Sequence, residues 1–208
     1  RVWGGRLLEE RDGRELPNGE IPYGESWEIS AREEAEAKVN GGPLNGMALR
    51  QLWSDPSLRA AIFGKNAPDA EEFPLLCKSL DARDRLSIQV HPPASVAAEF
   101  GGEPKTEVWC DVDAEPGAEL YVGVEPGVSE SSFRKALEEG TAEEAVHAIP
   151  VGTGQHIFIP SGRLHAIGAG LLIYEIQQNS DTTYRVYDWN RIGLDGKPRF
   201  LTLDQAGY

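Results

Sequence analysis

The sequence is poor in the features that mark secreted or membrane proteins. It has two cysteines, Cys77 and Cys110, and one methionine among its 208 residues. Two cysteines in apolar, strand-like surroundings predict buried free thiols, which suit a reducing compartment. No apolar run approaches the roughly 20 residues that a membrane-spanning helix needs. No signal peptide is recognised at the start of the sequence. We therefore expect a cytoplasmic protein.

Basic residues are also scarce. Lys and Arg number 20 against 34 Asp and Glu, which gives a net charge of −14. A charge of this sign and size argues against nucleic acid and anionic membranes as partners. An anionic small molecule would need a locally positive site, built from a metal ion or a few Lys and Arg side chains. The remaining composition, 40% hydrophobic and 26% charged, is ordinary for a globular domain.

Short β-strand patterns dominate the chain. Helical patterns occur only at 48–63, interrupted at Pro56, and at 129–148, where Ser129 and then Thr141 are predicted to begin two helices. His147 would lie late in the second of these helices. The order predicts an all-β fold with helical additions, which is compatible with a barrel. The predicted strands cover 25–30, 73–80, 86–91, 106–112, 119–124, 155–160, 164–167, 171–178 and 183–189.

The segment 154–165 predicts a strand, a tight turn and a second strand that opens on a histidine. Pro160 ends the pairing of the first strand, and Gly162 supplies backbone freedom for the turn. His165 then enters the next strand from a rigid corner, a placement that suits a metal ligand. The spacing of Gly154, Pro160, Gly162 and His165 resembles the second signature of the cupins, which are small jelly-roll barrels. The alternative is a surface hairpin with a solvated imidazole.

Two further strands present polar faces. Side chains alternate along a strand, so Ser87, Gln89 and His91 share one face, and Lys105 and Glu107 share another. Either face could be the solvated side of an antiparallel sheet. Inside a barrel, however, a polar face points into a cavity. The donors Gln89, His91, Glu107 and His165 form a mixed nitrogen and oxygen set that suits zinc, iron, manganese or cobalt.

Two charged residues stand out in the last strands. Glu175 shares the apolar face of its strand with Leu171 and Ile173, where an unpaired carboxylate would be costly to bury. Arg185 lies in mid-strand among aromatic residues. A surface arginine with its stem along the protein is one interpretation, and an interior arginine that faces an anion is the other.

Taken together, the sequence resembles the class I mannose-6-phosphate isomerases, zinc-dependent cupins, in their short bacterial form. The resemblance implies a cupin (RmlC-like) jelly-roll over residues 1–208, a single catalytic domain without the family's second, C-terminal barrel. That barrel's absence predicts self-association or pairing with a separate C-terminal barrel. The strings that carry the resemblance are Trp-Gly-Gly at 3–5, Gly-Glu-Ser-Trp-Glu-Ile-Ser at 24–30, Ser-Ile-Gln-Val-His-Pro at 87–92, Lys-Thr-Glu at 105–107 and Gln-Asn-Ser-Asp-Thr-Thr-Tyr-Arg at 178–185.

The resemblance also implies an activity and a set of site residues. The reaction interconverts mannose 6-phosphate and fructose 6-phosphate through an enediol, with one zinc ion per chain. A non-catalytic cupin that binds sugar phosphate or metal is the main alternative. An iron oxygenase is disfavoured because Gln89 replaces the first histidine of the usual His-x-His motif. The implied roles are zinc ligation by Gln89, His91, Glu107 and His165, catalysis by Lys105, Glu175 and Arg185, and substrate binding by Ser87, Lys105, Trp27 and Glu28.

Overall fold

A computed structural model describes residues 1–17 and 19–206. These described residues form ten β-strands and four α-helices, together with 3₁₀ turns at Glu33–Ala35 and Ala142–Ala145. The strands are β1 (Glu25–Ile29), β2 (Leu75–Ala82), β3 (Ile88–Val90), β4 (Glu107–Ala114), β5 (Glu119–Val124), β6 (Val146–Pro150), β7 (His156–Ile159), β8 (His165–Ile167), β9 (Leu171–Gln178) and β10 (Tyr184–Tyr187). The helices are α1 (Leu7–Glu10), α2 (Leu49–Ser54), α3 (Pro56–Phe63) and α4 (Glu130–Glu139).

The strands form two five-stranded antiparallel sheets. One sheet has the order β1-β2-β9-β4-β7, and the other has the order β10-β3-β8-β5-β6. Strands β2 to β9 therefore have the order of an eight-stranded jelly roll, in which successive strands change sheet except for β5 and β6, which pair with each other. Strands β1 and β10 are added at one edge of each sheet. The predicted all-β fold with helical additions is confirmed.

The main core lies between the two sheets. It contains Trp109 and Ile173 from the first sheet and Leu120 and Ile167 from the second, each at most 1% exposed. Trp3, near the start of the chain, packs into the same cluster. Burial of this apolar surface is the dominant favourable contribution to folding. The polar side chains of the candidate site, which is described below, lie in the same interior. The core therefore also surrounds that site.

The helices begin and end where the sequence provides caps. Asp55 accepts hydrogen bonds from the backbone of Ser57 and Leu58, and Pro56 occupies the first position of α3. This cap explains why the helical pattern at 48–63 divides into α2 and α3. Ser129 caps α4, and Gly140 ends it in the left-handed conformation that glycine tolerates. None of the helices in the described residues is both long and apolar enough to cross a bilayer.

The predicted helix after Thr141 is wrong. The segment forms one 3₁₀ turn at Ala142–Ala145 and continues as β6, so His147 lies on an edge strand, where its Nδ1 is 3.1 Å from Glu125 Oε1. Thr141 makes no side-chain cap. Pairing with β5 and burial of Val146 outweigh the local capping pattern.

The prediction for the cysteines is only half right. Cys77 and Cys110 are free, but both are partly exposed. They lie on strands β2 and β4, on the outer face of the first sheet, and β9 separates these two strands. Their side chains point away from the core that the apolar sequence around them helps to build.

Candidate metal and active site

Three buried side chains bring their ligand atoms together inside the barrel. His91 follows β3, Glu107 begins β4 and His165 begins β8, so both sheets contribute. The ligand atoms lie within 4.8 Å of one another. His165 Nε2 is 3.2 Å from His91 Nε2 and 3.3 Å from Glu107 Oε1, and His91 Nε2 is 3.5 Å from Glu107 Oε2. Strands that are far apart in sequence thus place three donors around one point.

Hydrogen bonds on the far side of each ring fix the imidazoles. His91 Nδ1 donates to the Thr182 carbonyl at 2.9 Å, and His165 Nδ1 donates to the Arg163 carbonyl at 2.7 Å. These bonds assign the protons to Nδ1, which leaves an unprotonated Nε2 on each ring. The two Nε2 lone pairs therefore face each other and the Glu107 carboxylate. Lone pairs at these distances repel unless a cation lies between them.

Glu107 is the second sign that the cluster holds a cation. Both of its carboxylate oxygens are buried and accept no hydrogen bond within the described residues. Lys105 Nζ lies 3.0 Å from Glu107 Oε2 and forms an ion pair with it. Buried polar atoms are normally satisfied, so two orphaned carboxylate oxygens indicate a missing partner. The His₂Glu donor set fits a divalent metal ion with an open coordination position.

Burial and charge keep these groups in the protonation states that a metal requires. Burial lowers the pKa of His91 to about 4 and also lowers the pKa of His165. Burial alone would raise the pKa of Glu107, but the Lys105 ammonium outweighs it and holds that pKa well below its usual value. At neutral pH both rings are neutral and the carboxylate is ionised, which is the ligand form of each.

Gln89 lies beside the cluster. It pairs with His165 across β3 and β8 and with Arg185 across β3 and β10. Its Nε2 is 3.3 Å from His165 Nε2, so the amide donates to the imidazole lone pair. Rotation of the amide by half a turn would instead present the oxygen. Gln89 is thus in place to contact a metal ion, and its role as a ligand stays a prediction.

A row of alternating charges continues from the metal cluster. Lys105 is 3% exposed, and its Nζ also lies 3.6 Å from Glu175 Oε1. Burial would lower the pKa of Lys105, but Glu175 and Glu107 outweigh it and raise that pKa. Glu175 Oε2 accepts a hydrogen bond from Trp109 Nε1 at 3.0 Å. The carboxylate predicted to be costly in an apolar strand is therefore paired.

The sequence analysis missed Lys78 in this row. Lys78 is 6% exposed and pairs with Glu175 across β2 and β9. Its Nζ lies 3.9 Å from Glu175 Oε1, 3.6 Å from Asp181 and 4.8 Å from the centre of the Trp27 ring. A lysine in the apolar strand pattern at 73–80 was the available signal, because ionisable groups are rarely buried without partners.

The row opens into a cavity of about 280 Å³. Ser87 and Arg185 line it, and Arg185 Nε donates to Ser87 Oγ at 3.2 Å. Burial, together with the nearby Arg199, lowers the pKa of Arg185 to about 10. Arg185 is partly buried, and it lines the cavity. The cavity is lined by Arg1, Trp3, Glu25, Lys78, Leu80, Leu86, Ser87, Gln89, Lys105, Glu175, Asp181, Thr183, Arg185 and Arg199.

Trp27 and Glu28, the two residues of β1 that the sequence assigned to substrate binding, lie on opposite sides of the sheet. Trp27 lies opposite Lys78 in the β1–β2 register and contacts its ammonium, so it faces the side of the sheet that carries the site. Glu28 points to the other side of the sheet, where it forms an ion pair with Arg14. The structure therefore brings Trp27 close to the site and does not bring Glu28 there.

The fold and the site define a jelly-roll protein with a buried His₂Glu centre beside a polar, cation-lined cavity. The family model described as phosphomannose isomerase type I, catalytic domain, matches residues 1–136. The chain is 39% identical over 207 residues to the mannose-6-phosphate isomerase of Streptococcus mutans, covering 99% of this chain and 63% of the relative. It is 36% identical over 208 residues to the mannose-6-phosphate isomerase ManA of Bacillus subtilis, covering 99% of this chain and 63% of that relative.

A solved structure gives the same result. The mannose 6-phosphate isomerase from Bacillus subtilis superposes with a TM-score of 0.86 at 36% identity, covering 99% of this chain and 64% of that one. The chain therefore belongs to the type I phosphomannose isomerase family, and the cupin jelly roll expected from the sequence is confirmed. It spans slightly less than two thirds of the length of these relatives.

Proposed function

We propose that this chain carries the active site of a zinc-dependent isomerase that interconverts mannose 6-phosphate and fructose 6-phosphate. The observation that carries the proposal is the convergence of two imidazole lone pairs and an orphaned carboxylate next to buried lysines and an arginine-lined cavity. The relatives at 36% to 39% identity bear the name of that activity. Because the chain spans only part of their length, the activity is inferred for it.

Zinc is the metal that we propose, with one ion per chain. His91, Glu107 and His165 would hold it, and Gln89 could supply a fourth donor. Three protein ligands leave a position for substrate, as in catalytic zinc sites. A bound zinc ion would polarise the carbonyl and hydroxyl oxygens of the sugar and so favour the enediol.

The protein's own groups would move the protons. Aldose–ketose isomerisation takes a proton from C2 of the aldose and returns it to C1, while the oxygens exchange a second proton. The raised pKa of Lys105 keeps it protonated at neutral pH, so we assign it a hydrogen bond to the substrate oxygens rather than the role of base. We assign removal of the C2 proton to Glu175, whose carboxylate Trp109 orients. Arg185 would stabilise the negative charge that develops on the enediol oxygens.

The test combines metal analysis with a coupled assay for fructose 6-phosphate formed from mannose 6-phosphate. We expect one zinc per chain and turnover that a chelator abolishes and zinc restores. A protein that binds zinc and sugar phosphate without turnover would support the non-catalytic alternative instead. Bound iron with no isomerase activity would contradict the proposal.

A ligand variant tests the metal site itself. His165→Ala should weaken zinc affinity by more than roughly 100-fold, because even partners outside the ligand set contribute 10- to 100-fold. His147→Ala is the matched control, since His147 lies on the exposed edge strand with Glu125. Stoichiometric zinc at unchanged affinity in His165→Ala would contradict the ligand set.

We also propose a cytoplasmic location and self-association of the chain. The location fits free thiols and an acidic, globular composition. Self-association fits the exposed apolar side chains on the outer face of the first sheet, among them Phe158 at 62% exposure. Pairing with a separate C-terminal barrel is the alternative to self-association. Light scattering, which measures the mass of the assembly, would detect either.

A further inference from the structure

On the side of β10, the cavity beside the metal cluster carries more positive charge than its carboxylates neutralise. Arg1 forms an ion pair with Glu25, which neutralises it. Arg185 donates to Ser87 Oγ and to a backbone carbonyl, but among the described residues it has no carboxylate partner. Arg199 lines the same cavity. The protein has a net charge of −14, so an arginine without a carboxylate partner at the edge of a cavity is a local excess of positive charge.

Arg199 is only weakly compensated. Its Nη1 lies 3.4 Å from Asp188 Oδ1, and that same oxygen lies 2.7 Å from Arg191 Nη2. Arg191 also pairs with Asp84. One carboxylate thus serves two guanidinium groups, and the shorter contact belongs to Arg191. Burial, together with Arg191, lowers the pKa of Arg199, which fits a cation short of negative partners.

The position of these cations suits one end of a phosphorylated sugar. Ser87 immediately precedes β3 and Gln89 lies within it, so their side chains point to the same face and are about 7 Å apart. Gln89 contacts His165 of the metal cluster, whereas Ser87 contacts Arg185. The reacting C1 and C2 of a hexose 6-phosphate are at the opposite end of the molecule from its phosphate. A sugar with its carbonyl at the metal cluster would extend its phosphate past Gln89.

We propose that Arg199 anchors the phosphate group of the substrate, which it holds together with the Ser87 hydroxyl. The inference rests on the proposed isomerase function and adds the residue that selects a phosphorylated sugar. The Ser87 hydroxyl accepts the Arg185 Nε–H and keeps its own proton to donate. Guanidinium groups bind phosphate through paired, charge-assisted hydrogen bonds. Asp188 would position Arg199 without touching the phosphate.

The experiment measures binding of mannitol 6-phosphate, which lacks the carbonyl group and cannot isomerise, to the zinc-loaded protein by calorimetry. Arg199→Gln should raise the Kd by roughly 10- to 100-fold, the range for loss of hydrogen bonds to a charged group. Arg199→Lys keeps the positive charge but loses the paired hydrogen-bond donors of the guanidinium group. Its Kd should lie between those of Arg199→Gln and the wild type. Lys197→Gln removes the same charge from an exposed position two residues away and should change the Kd less than about twofold.

Kinetics separate an anchor from a purely structural residue. In the isomerase assay, Arg199→Gln should raise the KM for mannose 6-phosphate and leave kcat within about threefold, since a bond to the remote phosphate is made in ground state and transition state alike. Thermal unfolding of both Arg199 variants checks the fold. If Arg199→Gln does not fold, Arg199→Lys carries the test.

The outcomes also distinguish this inference from the proposed function. Equal Kd values for Arg199→Gln and Lys197→Gln would overturn the inference, even if the wild type isomerises mannose 6-phosphate. Failure of the wild type to bind mannitol 6-phosphate would overturn it as well. A wild type that binds this probe through Arg199 but shows no turnover would refute the isomerase and retain the phosphate site.

Discussion

Lys105 is the buried cation on which two carboxylates depend. Its ammonium lies 3.0 Å from Glu107 and 3.6 Å from Glu175, and all three side chains are at most 5% exposed. Lys105→Met would leave both carboxylates short of a partner in the interior. We expect the metal-free protein to lose about 3 kcal/mol of unfolding free energy, the lower end of the cost of breaking a buried pair. Urea unfolding measures this loss.

The control for this prediction is a lysine of the same kind on the surface. Lys135 lies 3.6 Å from Glu139 on α4, and its side chain is 72% exposed. Lys135→Met should change the unfolding free energy by less than about 0.5 kcal/mol, because exposed pairs are screened by water. A Lys105→Met protein as stable as Lys135→Met would show that the buried row contributes nothing to stability.

Asp111 should make stability depend on pH. It is 3% exposed, its Oδ1 has no hydrogen-bond partner in the described part of the chain, and burial raises its pKa despite the nearby His156. A carboxyl whose pKa is higher in the folded state favours folding when it is protonated. Its contribution is present below the unfolded pKa and is lost as pH rises through the folded pKa.

The comparison that isolates this effect is with Asp111→Asn, which cannot ionise. Between pH 4 and pH 8, the wild type should lose unfolding free energy relative to Asp111→Asn, and the difference should level off once Asp111 is fully ionised. Asp69→Asn, at an exposed position, should show no such trend. Urea unfolding across this pH range provides the data, and parallel curves for wild type and Asp111→Asn would contradict the prediction.

Among the elements, the short helix α1 depends on one carboxylate of β2. Leu7 N–H donates to Asp81 Oδ2 at 2.6 Å, and Asp81 is fully buried. A Cβ added at Gly5 would meet both Asp81 carboxylate oxygens at 2.8 Å, so the chain passes very close to this side chain. Asp81 thereby fixes the segment that carries Trp3 into the core.

Removal of this carboxylate should loosen the start of the chain. Asp81→Ala leaves the partly buried amide of Leu7 without an acceptor, and we expect a loss of about 1 to 3 kcal/mol in unfolding free energy. Amide hydrogen exchange at Leu7 should accelerate more than exchange in β9. Asp81→Asn keeps one acceptor oxygen and should lose less. Exchange at Leu7 that is the same in Asp81→Ala and wild type would rule out this role.

The elements also show how far local sequence determines structure. Each predicted strand boundary lies within two residues of the observed one, because Pro, Gly and alternating side chains mark these strands clearly. The exception is β6, where Thr141 and the acidic residues after it resemble a capping box. Its strand state depends on pairing with β5, a contact between segments that no local pattern reports. The helices α2 and α3 could be predicted because Asp55 and Pro56 form a local cap.

At the scale of the molecule, the sequence identified several of the residues that carry chemical function. It was less informative about which residues lie close together in the folded chain. The faces of β3 and β4 predicted His91 and Glu107 as donors, and the structure brings them to His165. Lys78 and Arg199 escaped notice because neither lies in a recognisable motif. They enter the site through the β2–β9 register and through the return of the chain after β10. Such long-range placement follows from topology and not from local pattern.

The outer face of the first sheet is the surface that bears on assembly. Cross-strand pairing aligns Ile29, Cys77, Ile176, Val108 and Phe158 in one row across all five strands. Ile29, Ile176 and Phe158 are 44%, 42% and 62% exposed. The row contains no charged residue, although the chain as a whole is strongly acidic. An uncharged apolar row of this kind tends to be buried against another surface.

We therefore expect the chain to self-associate through this row. Phe158→Lys should raise the dissociation constant by roughly tenfold or more, because an unpaired ammonium buried in the contact costs more than 1.4 kcal/mol. Leu194→Lys is the matched control, since Leu194 is 66% exposed and lies outside the sheet. Light scattering over a concentration series gives the masses. A wild type that stays monomeric at every concentration, or a Phe158→Lys protein that associates like Leu194→Lys, would exclude this face as the contact.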